Sequence, residues 1–322
     1  MADRKVLITG ITGQDGIFLT SELLKNDKNI KIFGISRNAN KKFYENLTAV
    51  GVKNFSNVNI HNLDLTDLNS VKKYISDLQP TEIYNLSGPS SVYESILNSD
   101  YYKTTINTIF DNLTDACISA GMTPRFFQAC SSEMFSSENI LPLNEGSVFN
   151  PRSPYSEAKY TVYKKTNDLR KNGDWNIKSG IMFNHESEFR NDDYLFIKII
   201  NSAKSIKDNK ADTLELGSLE MVRDWSFAGD VASAIYLINN SDYLENFVIG
   251  SGRGVTIEYV VETIFDYYDL EYNSFVKVNN SLLREGDPLR IISDPKSLIN
   301  KLGWNPQYNI DNLIERLIKY IG

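Results

Sequence analysis

Lys5-Val6-Leu7-Ile8-Thr9-Gly10-Ile11-Thr12-Gly13-Gln14-Asp15-Gly16 decides the fold. A five-residue apolar, β-prone run leads straight into three spaced glycines, and from Ile17 to Leu24 the apolar residues fall at helical intervals. The pattern is strand, tight turn, helix. Glycines let the chain turn sharply and let backbone N–H groups approach an anion at a helix N-terminus, where free amides and the helix dipole favour phosphate. The spacing is GxxGxxG, not GxGxxG, but it heads the first strand–helix–strand unit. That setting predicts a dinucleotide pyrophosphate over Gly10, Thr12, Gly13, Gln14, Asp15 and Gly16.

Outward from this loop, short β-rich runs alternate with amphipathic helices. Strands are expected at 30–35, 58–63, 82–86, 125–130 and 177–183, and helices at 71–78, 99–120 and 155–171. Such alternation gives right-handed crossovers and a doubly wound parallel sheet of the α/β class. Past Asn184 the elements shorten, with helices expected at 196–207, 228–239, 257–268 and 310–321 and no clear period over 282–288. No Pro/Gly/Ser linker separates two halves. The expected division is a dinucleotide-binding domain at 1–183, completed by part of 225–252, and a smaller α/β substrate domain at 184–322.

Composition limits the function. The 322 residues are 41% hydrophobic, enough for a large core, and the net charge of −7 argues against nucleic acid as a partner. Two cysteines, Cys117 and Cys130, build no disulfide framework, and two histidines, His61 and His185, build no multi-histidine metal centre. No apolar run approaches the ~20 residues of a membrane span. The N-terminus enters a strand directly, without a signal peptide, and a reducing, cytoplasmic setting is expected.

The end of the second strand speaks to the cofactor. An acidic residue there would hold the 2′-hydroxyl of NAD. Gly34-Ile35-Ser36-Arg37 instead offers a guanidinium fork suited to the 2′-phosphate of NADP. Asp64 and Leu65, after the third strand, are placed to hold the adenine edge, and Asp64 is equally placed to cap the helix that follows.

Chemistry is expected from Tyr155 and Lys159, four apart and so on one helical face. A lysine there can lower the tyrosine's pKa and make the phenolate a base for a sugar or alcohol hydroxyl. Ser131 and Glu133 follow the strand at 125–130, at the carboxyl end where open α/β sheets bind ligands. Ser131 can hydrogen-bond a reacting oxygen. Glu133 adds a carboxyl acid or base that a simple alcohol dehydrogenase does not need.

Together these residues resemble the extended short-chain dehydrogenase/reductases that act on nucleotide sugars, and within them the GDP-mannose 4,6-dehydratase family. The likeness runs along nearly the whole chain: GITGQDG (10–16), YNL (84–86), Ser-x-Glu (131–133), PRSPY…K (151–159), FNHES (183–187), RDW (223–225) and KLGWNP (301–306). Ser131 stands where the family has threonine, Val222 where it has lysine, and Arg190 alone where it has paired arginines. The resemblance implies Ser131, Glu133, Tyr155 and Lys159 for catalysis. Around the cofactor it implies Leu86, Ser87, Gly88, Ser90, Tyr101, His185 and Arg190, besides the loop, Arg37, Asp64, Leu65, Tyr155 and Lys159. Around the sugar nucleotide it implies Ser90, Ser131, Asn184, Lys198, Arg223, Arg284 and Asp287, and it implies no metal.

The resulting expectation is an NADP-dependent nucleotide-sugar 4,6-dehydratase on a Rossmann-type sheet, acting on GDP-mannose or a related GDP-hexose or heptose. A 4-epimerase or 4-keto reductase of the same family, and a non-enzymatic NADP-binding regulator, are the alternatives. Glu133 favours the dehydratase. A homodimer or homotetramer is expected through the helices at 99–120 and 155–171, with Ile106, Ile109, Phe110 and Leu113 as an apolar stripe.

Overall fold

A computed structural model describes residues 4–37, 41–173, 175–283 and 286–321. Its strands are β1 Lys5–Thr9, β2 Lys31–Ile35, β3 Val58–His61, β4 Glu82–Asn85, β5 Arg125–Ser131, β6 Ile177–Met182, β7 Asn184–Glu186, β8 Leu214–Leu216, β9 Val222–Phe227, β10 Phe247–Ile249, β11 Gly254–Thr256 and β12 Val276–Val278. The helices are α1 Gln14–Asn26, α2 Lys41–Ala49, α3 Leu68–Leu78, α4 Val92–Leu97, α5 Ser99–Ser119, α6 Pro154–Asn172, α7 Leu195–Lys207, α8 Ala228–Asn240, α9 Ile257–Tyr267, α10 Tyr272–Phe275, α11 Lys296–Leu302 and α12 Ile310–Ile321. None is long and apolar enough to cross a membrane.

Seven strands form one sheet in the order β10-β6-β5-β4-β1-β2-β3, and every neighbouring pair is parallel. Parallel strands buried on both faces carry consecutive apolar residues, as Val6-Leu7-Ile8 of β1 and Phe126-Phe127 of β5 do. Alternate residues serve opposite faces. Val6, Ile8 and Phe127 pack under α1 and α8, whereas Leu7, Ile83 and Phe126 pack under α3, α5 and α6. The strand order reverses between β1 and β4, so the carboxyl ends of these two strands open a crevice for ligand.

The core beneath α1 and α8 does not stop at the sheet. It continues through Phe196, Ile200, Val260, Ile264, Leu313 and Leu317 into the C-terminal lobe. That continuity explains the missing linker. β10 belongs to the central sheet, and the rest of the lobe carries a three-stranded sheet, β11-β9-β7, and the pair β12-β8. Asp224 ties the lobe together: its carboxylate accepts from the N–H groups of Ser251, Gly252 and Ser293 and from both serine hydroxyls, at 2.5–3.0 Å. The 301–306 motif is a second clasp. The Trp304 indole donates to the Asp230 carbonyl at 3.0 Å, and the N–H groups of Gln307 and Tyr308 donate to the Asp230 carboxylate.

Several expectations change. The apolar stripe of α5, Ile106, Ile109, Phe110 and Leu113, is buried inside the chain against the sheet and is not a dimer surface. The helix expected from 71 begins at Leu68, because the Asp67 side chain caps it by accepting from Asn69 N. Asp64 is therefore not the cap, and its carboxylate instead accepts from the N–H and hydroxyl of Thr66.

Two glycines of the first loop are sterically required. Gly10 has φ of +70°, and a Cβ there would lie 3.1 Å from the Leu86 carbonyl. At Gly16 a Cβ would lie 2.4 Å from the Ile11 carbonyl oxygen, a backbone atom with little freedom to yield. Gly16→Ala should therefore destabilise the protein by roughly 1–3 kcal/mol, the usual cost of overpacking. Urea unfolding followed by circular dichroism measures it, and an unchanged midpoint would refute the close packing.

Candidate active site

A cleft of about 790 Å³ lies over the carboxyl ends of β1, β2, β4, β5 and β6 and runs on beneath the C-terminal lobe. A buried polar ladder shapes its centre. The Thr9 hydroxyl donates to Asn85 Oδ1 at 2.7 Å, and Asn85 Nδ2 donates to Gln128 Oε1 at 2.8 Å, linking β1, β4 and β5. The Ser87 hydroxyl also donates to Asn85 Oδ1, at 3.0 Å, which orients the 86–90 segment along the cleft wall.

Ser131 ends β5, and its Oγ accepts from the Glu133 N–H at 3.2 Å. This hydrogen bond folds a single 3₁₀ turn that carries Glu133 to the cleft. Opposite it, α6 starts with Pro154 at its first position and a reciprocal Ser153–Ser156 capping box. The fixed start places Tyr155 and Lys159 in the first two turns, on one face. Both line the cleft yet are only 9% and 7% exposed. Lys159 Nζ donates to the Ala129 carbonyl at 2.9 Å and lies 5.8 Å from the Tyr155 ring centroid.

Burial governs both groups. It pushes the Tyr155 phenol well above its usual pKa, with the Ser131 hydroxyl opposing and the Glu133 charge reinforcing the shift. Burial also lowers the Lys159 pKa. The expected lowering of the tyrosine by the lysine alone is thus overridden by desolvation, and the phenol stays protonated until further positive charge or a hydrogen-bonding ligand enters.

Gln14 and Asp15 of the glycine loop turn their side chains to the 183–187 segment. Gln14 Nε2 donates to the His185 carbonyl at 3.1 Å, and its Oε1 accepts from the Ser187 hydroxyl at 2.8 Å. His185 Nδ1 lies 2.8 Å from the Phe183 carbonyl and Nε2 lies 2.9 Å from Asp15 Oδ1. Both partners only accept, so the imidazole serves them best with both nitrogens protonated. Burial opposes that charge, but the Asp15 carboxylate and its hydrogen bond outweigh burial and raise the His185 pKa. Burial likewise opposes the Asp15 charge, and His185 and Arg190 outweigh it, so the Asp15 pKa is lowered.

Gly10, Thr12, Gly13, Gln14, Asp15, Gly16, Arg37, Asp64, Leu65, Leu86, Ser87, Gly88, Ser90, His185 and Arg190 all line this cleft, as do Asn184, Arg223 and Asp287 at its lobe end. Arg223 and Asp287 form an ion pair at 3.1 Å. Two expected residues lie elsewhere. Tyr101 is half exposed, one helical turn before Thr105, which does line the cleft together with Ile109. Lys198 turns away and donates to the Glu215 carbonyl of β8 at 2.9 Å. Arg284 lies outside the described residues. Sequence reasoning missed Glu186, Tyr194, Met221, Trp225 and Ile257, which also line the cleft. Glu186 and Trp225 lie within the FNHES and RDW motifs, whereas no local spacing marks Tyr194, Met221 and Ile257.

The glycine cradle, the switch-point crevice and the Ser-x-Glu/Tyr-x-x-x-Lys wall define an extended short-chain dehydrogenase/reductase fold that fits a dinucleotide. Comparison with known proteins narrows this. The family model for GDP-mannose 4,6 dehydratase matches residues 7–317. GDP-mannose 4,6 dehydratase 2 of Arabidopsis thaliana is 31% identical over 324 residues, covering 98% of this chain and 86% of the relative. The Yersinia enterocolitica GDP-mannose 4,6-dehydratase is 30% identical, with 98% and 93% covered. Among solved structures, dTDP-glucose 4,6-dehydratase of Streptomyces venezuelae superposes with a TM-score of 0.84 at 19% identity, covering 98% and 96%. The chain belongs to the GDP-mannose 4,6-dehydratase family and is a nucleotide-sugar hydro-lyase.

The Asp15–His185 pair makes a pH-dependent prediction. The lowered Asp15 pKa contributes stability above its ordinary ~3.9, and the raised His185 pKa contributes stability below its ordinary ~6.5 that is lost as pH rises through the folded value. Asp15→Asn should therefore cost about 1.5–3 kcal/mol between roughly pH 4 and 6.5. The gap from wild type should narrow at higher pH. Urea unfolding across that range reads it, and a gap independent of pH would rule out the charged pair.

Proposed function

We propose that this enzyme dehydrates GDP-mannose, or a closely related GDP-hexose or heptose, to the 4-keto-6-deoxy sugar nucleotide, with NADP as its cofactor. The observation that carries the reading is the convergence of Ser131, Glu133, Tyr155 and Lys159 on one cleft floored by the glycine loop. When bound, the nicotinamide nucleotide would accept the hydride from C4, return it to C6, and in its oxidised form add positive charge to that of Lys159. Tyr155 accepts the proton of the sugar 4-hydroxyl, with Lys159 holding positive charge beside the forming phenolate and Ser131 hydrogen-bonding the reacting oxygen. The C4 carbonyl acidifies the C5–H, and Glu133 removes that proton. Protonated Glu133 then delivers a proton to the 6-hydroxyl, which leaves as water. C5 finally takes a proton from solvent, and Tyr155 gives up to solvent the one it took from O4, so no net proton is consumed. An epimerase or a 4-keto reductase needs Tyr155 but no carboxyl group at C5, so Glu133 separates these readings.

Arg37, Asp64 and Leu65 support the adenosine end of NADP, and Asn184, Arg223 and Asp287 the nucleotide of the substrate. Exposed Tyr93, Ile96, Leu97 and Tyr101, on α4 and the start of α5, support self-association as a homodimer or homotetramer.

Incubation with GDP-, UDP-, CDP- and dTDP-hexoses, followed by mass spectrometry, tests the reading: GDP-mannose should lose one water. Glu133→Gln should slow that loss by roughly 10²–10⁴-fold, the usual contribution of a general acid–base. Near wild-type release of product by the variant would remove Glu133 from the C5 step. Arg37→Ala should weaken NADP(H) by roughly 10–100-fold, one charged hydrogen bond, and leave NAD(H) nearly unchanged. Equal wild-type affinity for the two cofactors by fluorescence titration would overturn the 2′-phosphate assignment.

A further inference from the structure

Tyr194 lies in the cleft without a role in the scheme above. It immediately precedes α7, and its ring is held from one side by Arg190, whose guanidinium carbon sits 4.0 Å from the ring centroid. Arg190 is fixed in turn: it donates to the His185 carbonyl at 3.1 Å, and its Nε faces Glu186 Oε2 at 3.4 Å. The ring therefore stands on a rigid base built from β7. Its hydroxyl lies 3.0 Å from the Ser90 hydroxyl, across the cleft in the segment after β4. Tyr155 lines the same cleft.

The hydrogen-bonding capacity of this pair selects its ligand. Two hydroxyls bring two hydrogens and four lone pairs. The bond between them uses one of each, leaving a single hydrogen and three lone pairs for the cleft. Such a site suits a neutral hydroxyl that both donates and accepts. It suits a phosphate poorly, because phosphate oxygens mainly accept. Across the cleft, Tyr155 and Glu133 act on O4, C5 and O6, so the hexose ring hydroxyls left over are O2 and O3.

We propose that Tyr194, paired with Ser90, binds one of these two non-reacting ring hydroxyls and so selects the sugar configuration that the enzyme accepts. The inference rests on the nucleotide-sugar dehydratase reading and adds to it the residue that holds the unreactive edge of the ring. Arg190 acts through Tyr194 as a positioning residue, because stacking fixes the direction of the hydroxyl.

Tyr194→Phe keeps the ring and its stacking and removes only the hydroxyl. In the NADP-loaded protein, calorimetry should show GDP-mannose binding about 2–13-fold more weakly, the value of one neutral hydrogen bond. Affinity for GDP, affinity for NADP(H) and the thermal midpoint should stay at wild-type values. GDP-2-deoxymannose and GDP-3-deoxymannose complete a double-mutant cycle. One of the two should bind the wild type more weakly by the same factor and suffer no further loss in the variant. Unchanged affinity for GDP-mannose, an equal loss for GDP, or deoxy penalties that add fully to the mutation would each overturn the assignment. Wild-type turnover is measured separately: binding of GDP-mannose without water loss would overturn the dehydratase reading while the cycle still decides the role of Tyr194.

Discussion

The seam between Gln14–Asp15 and His185–Ser187 is the contact on which the site depends. The glycine loop is built for close backbone approach to an anion, and such a loop carries few side chains of its own to hold it. Here the two polar residues of the loop are used for that purpose. They bond the 183–187 segment through His185 and Ser187. That segment pairs with β9, which carries Arg223 at the lobe end of the cleft. One contact therefore sets the dinucleotide cradle and the lobe in fixed register. The GITGQDG and FNHES motifs are thus partners through their side chains.

Desolvation sets the chemistry in the same cleft. Tyr155 and Lys159 are nearly buried, which raises the barrier to a phenolate and weakens the ammonium that would stabilise it. In such a low-dielectric setting, added hydrogen bonds and charge act most strongly on both groups. The Asp224 clasp and the Arg223–Asp287 pair belong to the same arrangement, since they tie Ser293 and Asp287 to β9 beside the cleft. The Ser90–Tyr194 pair spans the cleft from the opposite side.

Much of this was legible in the linear chain. The first strand, its glycine turn, Tyr155 with Lys159, and Ser131 with Glu133 are all encoded by spacings of a few residues, and the structure places them where those spacings direct. Lys198 and Tyr101 were misplaced because position along a helix does not give the direction of a long side chain. Periodicity shows that the Ile106–Leu113 face of α5 is apolar but not what covers it; here the sheet does. Asp64 and Asp67 both had the chemistry of a cap, and only backbone geometry chose between them.

The sequence by itself determined the α/β class, the glycine turn after the first strand, the pairing of Tyr155 with Lys159 on one helical face and the family, because each depends on local periodicity or on short motifs whose geometry is nearly fixed. Tertiary structure alone decided that the second half shares one core with the first, that Gln14 and Asp15 look to His185 and Ser187, and that Tyr194 reaches Ser90 across 104 positions. Those contacts join residues that neither spacing nor propensity relates. They exist because burying a continuous apolar core brings the two lobes together, and polar groups caught at the junction must then satisfy one another.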